Sequence, residues 1–352
     1  MKKKTTKMIA LILAMMFMVS IVGCGGNNGN DANNTPGGGD EVKPITLHVA
    51  STVAPEHSYT RAAIEWAKEI EEKTNGQIKP ILEFGGVHGG ERETVEAAMR
   101  GDLDIVWTAD MAIASVIPEL GFVNLPYLFK NYEEADSLYR KGWIGEHFAK
   151  VCEGKNIIVL GHGENDFRGL TNSKHPIKSG ADLKGMKIRT PETPMFLAFF
   201  KALGTLPTPM AITELATGLQ QKAVDGQDNG PIITYSFGLD AFNKYVTKTN
   251  HMYSAMQVII NKDLFNSFTP EQQQIIKEAT EKAVDHQVEL NRGDVDLFFA
   301  DMEKRSGCEI IDRTPELEAA FKEAAVATWN DENVTKVYGD DIMKRLKEHA
   351  GF

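Results

Sequence analysis

Residues 182–191 read DLKGMKIRTP, and this stretch predicts both a strand and a binding position. The segment 186–189 is typical of a short buried strand, and Pro191 follows two residues after Arg189. Arg189 is therefore expected at the carboxyl end of a strand, the edge at which open α/β sheets bind ligands. Its planar guanidinium can hold a carboxylate through two parallel hydrogen bonds. A surface arginine or an internal ion pair would fit the same residues.

Two polar segments on either side of this strand add candidate ligand contacts. Arg168 stands near the start of the stretch 167–172, which reads FRGLTN, and Asn229 lies in the polar turn 225–231, which reads DGQDNGP. An asparagine side chain both donates and accepts hydrogen bonds, so Asn229 could orient a carboxylate or a hydroxyl group. By its composition alone, this turn is more typical of an ordinary loop.

Strand and helix patterns alternate along the rest of the chain. Apolar stretches predict strands at 45–50, 78–84, 103–108, 157–160, 168–171 and 186–189. Helical spacing and capping signals predict helices from 59 to the Asn75-Gly76 pair, at 91–100, 194–203 and 214–221, and a final helix from 314. Such alternation favours an α/β architecture with a largely parallel or mixed sheet.

One long helix is predicted in the C-terminal third. The stretch 269–272 reads TPEQ, in which the threonine can cap the helix, the proline suits the first helical position and the glutamine completes a capping box. The helical pattern continues to about residue 305, and Gly293 is a candidate for a bend or break within it. At 1.5 Å per residue the helix would reach roughly 50 Å, enough to run across two lobes.

The N-terminal residues predict export and lipid attachment. Four lysines precede an uncharged apolar run at 8–22, and small residues lead to Cys24. This pattern is typical of a signal peptide over 1–23, with Cys24 as the lipidated residue, although an uncleaved anchor or a plain signal peptide remains an alternative. The stretch 24–42 is rich in glycine and asparagine and is expected to be a flexible linker.

Charge restricts the class of partner. The formal net charge is −11 at pH 7, and removal of a signal peptide with four lysines and no acids would take it to about −15. Nucleic acids and anionic membrane surfaces need a basic face, so neither is an expected partner. Net charge is screened beyond about 8–10 Å, so a local arginine can still bind an anion.

The usual enzyme and metal motifs do not occur in the sequence. There is no GxSxG, HExxH or GxxxxGK[ST], and we expect no catalytic residues, no cofactor and no metal site. His57, His88 and His251 are more typical of surface or hydrogen-bonded residues than of metal ligands. Cys152 and Cys308 form no CxxC motif and are expected to be buried free thiols, although a disulfide remains open.

Six segments, in order, resemble the extracytoplasmic solute-binding proteins of TRAP transporters, the C4-dicarboxylate-binding or DctP type. The matching segments are 89–93 GGERE, 168–174 RGLTNSK, 182–189 DLKGMKIR, 207–210 PTPM, 225–229 DGQDN and 244–251 KYVTKTNH. The resemblance implies that Arg189 binds the ligand carboxylate through a two-pronged fork. It also implies that Arg168 supports that carboxylate or contacts it through water, and that Asn229 helps to orient the acid group. It also implies TRAP membrane permease subunits as partners, a monomer, and a location outside the cytoplasm.

The same resemblance implies a two-lobed α/β fold of the periplasmic-binding-protein type, with a hinge and a long helix spanning both lobes. The roughly 310 residues after the linker exceed what one core usually serves, which agrees with two lobes. We expect one lobe to contain 43–165 and 255–294, and the other to contain 166–254 and 295–352.

The sequence departs from the family pattern near the predicted site. His88 stands where leucine is usual, Asp228 where glutamate is usual, and Gly230-Pro231 where proline directly follows the asparagine. Further candidate ligand contacts at strand ends and loops are Ser51, His57, Glu91, Trp107, Asp110 and Asp228. For Trp107, a buried core position is the alternative to stacking on a ligand.

The sequence therefore leaves open which class of ligand is bound and which type of transporter or receptor the protein serves. A C4-dicarboxylate, a sugar acid, a 2-oxo acid and an aromatic acid all fit an arginine clamp. An ABC importer's binding protein, a sensor-associated binding protein and, less well, a secreted hydrolase are the alternatives to a TRAP binding protein.

Overall fold

A computed structural model describes residues 44–352. The predicted signal peptide, Cys24 and the linker lie outside these described residues, so their predictions stay untested. No helix within the described range combines the length and the apolar character needed to cross a membrane.

Thirteen strands and thirteen α-helices are described between residues 44 and 352. The strands are β1 Ile45–Ala50, β2 Ile78–Glu83, β3 Ile105–Ala109, β4 Ile157–His162, β5 Asp166–Phe167, β6 Gly169–Asn172, β7 Lys187–Thr190, β8 Leu206–Pro209, β9 Gly226–Asn229, β10 Tyr245–Lys248, β11 Tyr253–Ser254, β12 Met256–Asn261 and β13 Glu309–Asp312. The helices are α1 Ser58–Lys73, α2 Glu91–Arg100, α3 Asp110–Val116, α4 Tyr132–Ala135, α5 Trp143–Glu153, α6 Pro194–Ala202, α7 Ile212–Gln220, α8 Pro231–Ser236, α9 Lys262–Ser267, α10 Pro270–Ser306, α11 Pro315–Trp329, α12 Glu332–Thr335 and α13 Asp340–Ala350.

The strands form two large mixed sheets, which confirms the predicted α/β class. The first sheet has the order β2-β1-β3-β12-β4, with β12 antiparallel to both of its neighbours. The second has the order β13-β10-β6-β9-β7-β8, in which β7 runs parallel to β8 and β9. The strands of the first sheet lie within 43–165 and 255–294, and those of the second lie within 166–254 and 295–352. The lobe boundaries themselves stay a prediction.

Two connections between the sheets pair with each other. Strand β5 leads from β4 to β6, strand β11 leads from β10 back to β12, and the two form a short antiparallel ladder. The sequence predicts one strand at 168–171, whereas the structure has β5 and β6 on either side of Arg168. The backbone N–H of Arg168 donates to the carbonyl of Met252, and this bond continues the pairing of the crossing strands.

Helix α10 connects the same two regions and is continuous. The predicted capping box is confirmed, since Gln272 N donates to Thr269 Oγ1 at 3.2 Å and Thr269 N donates to Gln272 Oε1 at 3.1 Å. The 37-residue helix passes through Gly293 without a break and ends at Gly307, which has a positive φ of 64°. It packs against α1 and β4, and also against α8 and β13.

The C-terminal region differs from the prediction. The helix that starts after Thr314 is not the final one, because α12 and α13 follow it. The helical turn Lys336–Tyr338 packs against the turn Pro118–Asn124, and the indole Nε1 of Trp329 donates to the carbonyl of Pro126 at 2.8 Å. Helix periodicity does not predict these contacts, because they join residues that are far apart in the sequence.

The two cysteines within residues 44–352 are buried and free, as expected. Cys152 lies in α5 and Cys308 lies between α10 and β13, so each belongs to a different part of the core. Burial raises the pKa of the Cys308 thiol to about 11 and raises that of Cys152 further, which makes both thiols poor nucleophiles at neutral pH.

The continuity of α10 at Gly293 can be tested by substitution. Nothing lies within 4 Å of the position that a Cβ would take there, and the residue is exposed. We expect Gly293→Ala to raise the free energy of unfolding by about 0.5–1 kcal/mol, because alanine favours the helix interior over glycine. Urea denaturation would measure the change.

Gly307→Ala is the matched control, because its left-handed backbone disfavours any Cβ although space is free there too. It should lower stability. A destabilising Gly293→Ala would mean that the helix bends or breaks at this glycine.

Candidate functional site

Arg189 lies at the carboxyl end of β7, and no acidic group among residues 44–352 pairs with its guanidinium. The residue is only 4 % exposed, and its Nε donates to the carbonyl of Met210 at 2.8 Å. Among residues 44–352, neither of its two Nη groups has a hydrogen-bond or ion-pair partner. Burial, with a contribution from the charge of Arg168, lowers the pKa of Arg189 to about 10, so it remains charged at neutral pH.

The Arg189 side chain lines a cavity that lies between the parts of the chain built on the two large sheets. The empty volume of this cavity, counted together with the open space at its mouth, is about 380 Å³. From the side of the first sheet the cavity is lined by Thr52, Val53, Tyr59, Glu91 and Ala109. From the side of the second it is lined by Arg189, Pro191, Ile212, Asn229, Ile233 and Phe237, and Met111 and Asn165 complete the lining. Most of the apolar lining is aliphatic, which leaves the charged and amide groups as the specific contacts.

Asn229 lies at the end of β9 and faces the same cavity. Its Nδ2 donates to Gln227 Oε1 at 2.5 Å, and its Oδ1 accepts from Arg168 Nη2 at 3.2 Å. Both ends of the amide therefore have protein partners, and these fix its orientation. The structure thus brings Asn229 and Arg189 together, as the sequence predicts.

Arg168 forms an internal ion pair with Asp228. Its Nε lies 3.1 and 3.0 Å from the two carboxylate oxygens of Asp228, and both residues are fully buried. His251 Nε2 lies 3.4 Å from the same carboxylate, and the guanidinium packs 5.0 Å from the ring centroid of Phe196. Neither charged residue is among those that line the cavity. The sequence offers an internal ion pair as an alternative role for Arg189. The structure shows such an ion pair at Arg168 instead.

Glu91 is the first residue of α2 and faces the cavity from the first sheet. Its Oε1 accepts from Thr108 Oγ1 and from Ala109 N, both at 3.3 Å. Burial raises the pKa of Glu91, opposed by these hydrogen bonds and by the charge of Arg189. The preceding glycine loop turns tightly, and a Cβ on Gly86 would lie 3.3 Å from Thr213 Cγ2. The loop therefore passes close to α7.

Sequence reasoning missed Tyr59 and Asn165. The Tyr59 hydroxyl donates to Asn165 Oδ1 at 3.1 Å, and Asn165 Nδ2 donates to Ser254 Oγ at 3.1 Å. Tyr59 fits the apolar spacing of α1, so the sequence gives no reason to separate its hydroxyl from its buried ring. Only the position of Asn165 just before the RGLTN segment could have drawn attention to it.

Trp107 and Asp110 are not at the cavity. The Trp107 ring is fully buried against Trp66, at 6.0 Å between ring centroids, so it is a core residue rather than a stacking platform. Asp110 is also fully buried and accepts hydrogen bonds from Asn124, Ser254 and the backbone of Ala255. These bonds join α3 to β11 and β12.

Ser51 and His57 also have local roles. Ser51 Oγ donates to the carbonyl of Trp107 at 2.7 Å, which links β1 to β3. His57 caps α1, where its Nδ1 accepts from Tyr59 N at 3.1 Å. Burial, with the charge of Arg61, lowers the pKa of His57 to about 3, so its ring is neutral at physiological pH.

Two other histidines are accounted for by hydrogen bonds. His88 Nε2 lies 2.7 Å from Glu83, and His251 Nδ1 lies 2.7 Å from Thr249 Oγ1. In the range 44–352 no group of three or more histidine, cysteine, aspartate or glutamate side chains is arranged to hold a metal ion.

The Arg168–Asp228 pair predicts a pH-dependent stability. Burial opposes ionisation of Asp228, but Arg168 and His251 hold the pKa of its carboxyl below the usual value. Asp228→Asn should lower the free energy of unfolding at pH 7 by about 3–5 kcal/mol, because it leaves a buried guanidinium uncompensated. The difference in unfolding free energy between wild type and Asp228→Asn should narrow as the pH falls from about 4 through the depressed pKa of Asp228. In that range the wild-type Asp228 carboxylate itself takes up a proton.

Urea denaturation at pH 7 and at several pH values below 4 would measure both effects. Asp312→Asn is the control, because Asp312 pairs with Lys248 at 3.8 Å in an exposed position and should matter little. Equal stabilities of Asp228→Asn and wild type at pH 7 would contradict the assignment.

Comparison with known proteins agrees with this geometry. Residues 49–334 match the model of the DctP family, described as "Bacterial extracellular solute-binding protein, family 7". A solute-binding protein of Verminephrobacter eiseniae is 35 % identical over 297 residues, covering 83 % of this chain and 86 % of the relative. The 2,3-diketo-L-gulonate-binding periplasmic protein YiaO of Escherichia coli is 31 % identical over 288 residues, covering 82 % and 87 %.

A solved structure gives the same result for the fold. The crystal structure of a TRAP periplasmic solute-binding protein from Polaromonas, bound to D-erythronate, is similar with a TM-score of 0.81 and 29 % identity. The similarity covers 86 % of this chain and 98 % of that one. This confirms the predicted two-lobed α/β fold. The chain belongs to the DctP family, the bacterial extracellular solute-binding proteins of family 7, and is of the TRAP type.

Proposed function

We propose that this protein captures a small sugar acid with a single carboxylate and delivers it to a TRAP membrane permease. The coarser statement, that the chain is an extracytoplasmic solute-binding protein of a family that binds small carboxylates, rests on family membership. The choice of ligand class and of Arg189 as its anchor is the proposal.

The observation that supports the clamp is the unpaired guanidinium of Arg189. A buried charge without a partner is unfavourable by several kcal/mol, so an enclosed cavity with this group favours a ligand that brings a negative charge. Both Nη groups are free to donate among the described residues, and two parallel N–H donors match the two oxygens of a carboxylate. Arg168 cannot serve in this way, because Asp228 already neutralises it.

The opposite wall of the cavity favours a polyhydroxy ligand over a dicarboxylate. Glu91, Tyr59 and Asn165 are polar groups that line it, and Glu91 is an acceptor when ionised. A ligand hydroxyl can donate to that carboxylate, whereas a second ligand carboxylate would be repelled by it. One similar protein is named for 2,3-diketo-L-gulonate and another was solved bound to D-erythronate, and both compounds are sugar acids with one carboxyl group.

Closure of the two sheets around the ligand follows from the same physics. With the cavity open, water solvates Arg189 and Glu91. A carboxylate bound to Arg189 allows the walls to approach and exclude that water, which strengthens the ion pair. The residues on the two walls come from different sheets, so ligand contacts and closure are energetically coupled.

Delivery is proposed to occur at the outer face of the cell membrane. Cys24 follows a predicted signal peptide, and a lipid on its thiol would anchor the chain through the linker 24–42. Family membership favours a TRAP permease over an ABC importer as the membrane partner. A permease gene next to this one would support that partner, and a neighbouring receptor gene would favour a sensor.

Removal of the Arg189 guanidinium should abolish tight binding. We expect Arg189→Ala to weaken the affinity for D-erythronate, or for the best ligand found by screening, at least about thirtyfold, because loss of one partner in such a pair costs about 2–5 kcal/mol. Arg189→Lys should also bind poorly, since a lysine is a point charge and cannot form the fork.

Isothermal titration calorimetry would give the dissociation constants. Arg100→Ala serves as the control, because Arg100 is exposed and pairs only with Asp102. An affinity of Arg189→Ala within threefold of wild type would exclude Arg189 as the anchor.

The ligand class can be tested with a library of organic acids. A ligand present at 100 times its dissociation constant should add about 2.7 kcal/mol of stability in a thermal-shift assay. We expect sugar acids to give the largest shifts and succinate a smaller one. Glu91→Gln should shift the ratio of affinities toward succinate by about tenfold or more, because it removes the repulsion of a second carboxylate. An unchanged ratio would contradict the role of Glu91, and a wild type that prefers succinate would favour the dicarboxylate alternative.

A further inference from the structure

Asp166 occupies an unusual backbone position in the strands that cross between the sheets. It is the first residue of β5, where its φ is +118°, a value that non-glycine residues rarely adopt. The residue is only 2 % exposed and pairs across the ladder with Ser254. Such strain persists only where surrounding contacts hold it in place, so the contacts of the side chain are informative.

Those contacts satisfy only one of the two carboxylate oxygens. Asp166 Oδ1 accepts from the backbone N–H of Phe167 at 2.6 Å and from the Tyr132 hydroxyl at 2.7 Å. Within residues 44–352, Asp166 Oδ2 is buried and has no hydrogen-bond partner. Burying an oxygen without a partner costs more for an ionised carboxylate, which carries charge on both oxygens, than for a neutral carboxyl group.

A partly buried charge network lies beside this carboxyl group. Arg292 of α10 binds Glu164, with Nη2 at 2.7 Å from Oε2, and binds Asp136, with Nη2 at 2.8 Å from Oδ1. It also packs over the ring of Tyr132, at 4.4 Å from the centroid. Through Glu164 and Tyr132, the middle of the long helix is therefore connected to the crossing strand that carries Asp166.

Among residues 44–352, no cation of this network forms an ion pair with Asp166 itself. The carboxylates of the network are Glu164, Asp136 and Asp285, and its cations are Arg292, Arg140 and Lys141. Tyr132 and Tyr253 face it with neutral hydroxyls, and the Tyr253 hydroxyl donates to Glu164 at 3.2 Å. Arg292 is already shared between Glu164 and Asp136, so an ionised Asp166 would add a negative charge near Glu164 without a cation of its own.

We propose that Asp166 is a proton-sensitive positioning residue of the hinge: its protonated form stabilises the arrangement in which both sheets enclose the cavity, and its ionised form favours opening. Opening changes the path of the crossing strands, which lets water reach Oδ2 and relieves the left-handed backbone. Ligand capture would then be tighter under acidic conditions and ligand release easier under alkaline ones.

The direction of the effect follows from the titration of this group. Burial and the charge of Glu164 raise the pKa of Asp166 to about 7 in the enclosed arrangement. In an opened hinge, a solvated aspartate returns toward about 3.9. Because the closed state holds the proton more tightly, closure is favoured below the raised pKa and loses this contribution as the pH rises through about 7.

The hinge can be followed in the full chain without any ligand, so this test does not depend on the proposed ligand class. Fluorophores attached through Val87→Cys and Leu206→Cys would report the distance between the two sheets, since both positions are exposed. Within residues 44–352 the native thiols, Cys152 and Cys308, are buried and have raised pKa values, which protects them from labelling, and Cys24→Ser removes the third thiol of the chain. We expect the closed-to-open ratio from single-molecule energy transfer to fall about tenfold or more between pH 5.5 and pH 8.

Three variants separate Asp166 from other titrating groups. Asp166→Asn keeps the Oδ1 acceptor and carries no charge, so its closed-to-open ratio should stay high and vary less than twofold with pH. Tyr132→Phe removes a donor to the ionised carboxylate, so the midpoint should move to higher pH. Asp296→Asn removes an exposed carboxylate one turn along α10 from Arg292 and should behave as wild type.

The proposal would be overturned by a ratio that changes less than twofold in the wild type, or by a pH response that persists in Asp166→Asn. A response lost in Glu91→Gln but kept in Asp166→Asn would assign the titration to the cavity wall instead. Failure of Arg189→Ala to weaken ligand binding would leave the hinge result unaffected, so the two proposals can fail separately.

Discussion

The enclosed site depends on one uncompensated charge, the guanidinium of Arg189 at the end of β7. It is buried, its Nε is held by the carbonyl of Met210, and its remaining donors face a cavity rather than a protein carboxylate. A group in this state makes a closed and empty site unfavourable and a closed site with an acid favourable. Under the proposed function, ligand binding and enclosure are therefore energetically coupled, with the two sheets on opposite sides of the cavity.

Arg168 and Arg189 show how one residue type can serve two purposes. Arg168 is neutralised by Asp228 and stabilises the point where the crossing strands enter the second sheet. Arg189 lies next to Arg168 and has no such partner among residues 44–352. The positive charge of Arg168 therefore makes it more favourable for Arg189 to bind an anion. The Arg168–Asp228 pair also orients Asn229, so its contribution to the site is indirect. The same separation of roles applies at Glu91, a cavity carboxylate, and Glu164, which is bound by Arg292 in the hinge network.

The fold could be predicted well because its signals are local. The capping box at the start of α10, the glycine that ends α2 and the apolar strands each depend on neighbouring residues only, and the structure has all of them. The predictions failed where distant packing decides. The helices after Trp329 find their places through contacts with the turn Pro118–Asn124, and the strand predicted at 168–171 divides around Arg168 because that residue pairs with Met252.

The sequence by itself determined the α/β class, the family and the positions of the arginines, because strand, turn and capping patterns are read over a few residues. Only the tertiary structure decided what each polar side chain does. It placed Trp107 in the core and Asp110 in a hydrogen-bond network, and it brought the Tyr59 hydroxyl to the cavity. Burial and charge pairing are set by residues that are far apart in the chain, and the role of an ionisable group follows from whether a partner lies within a few ångströms.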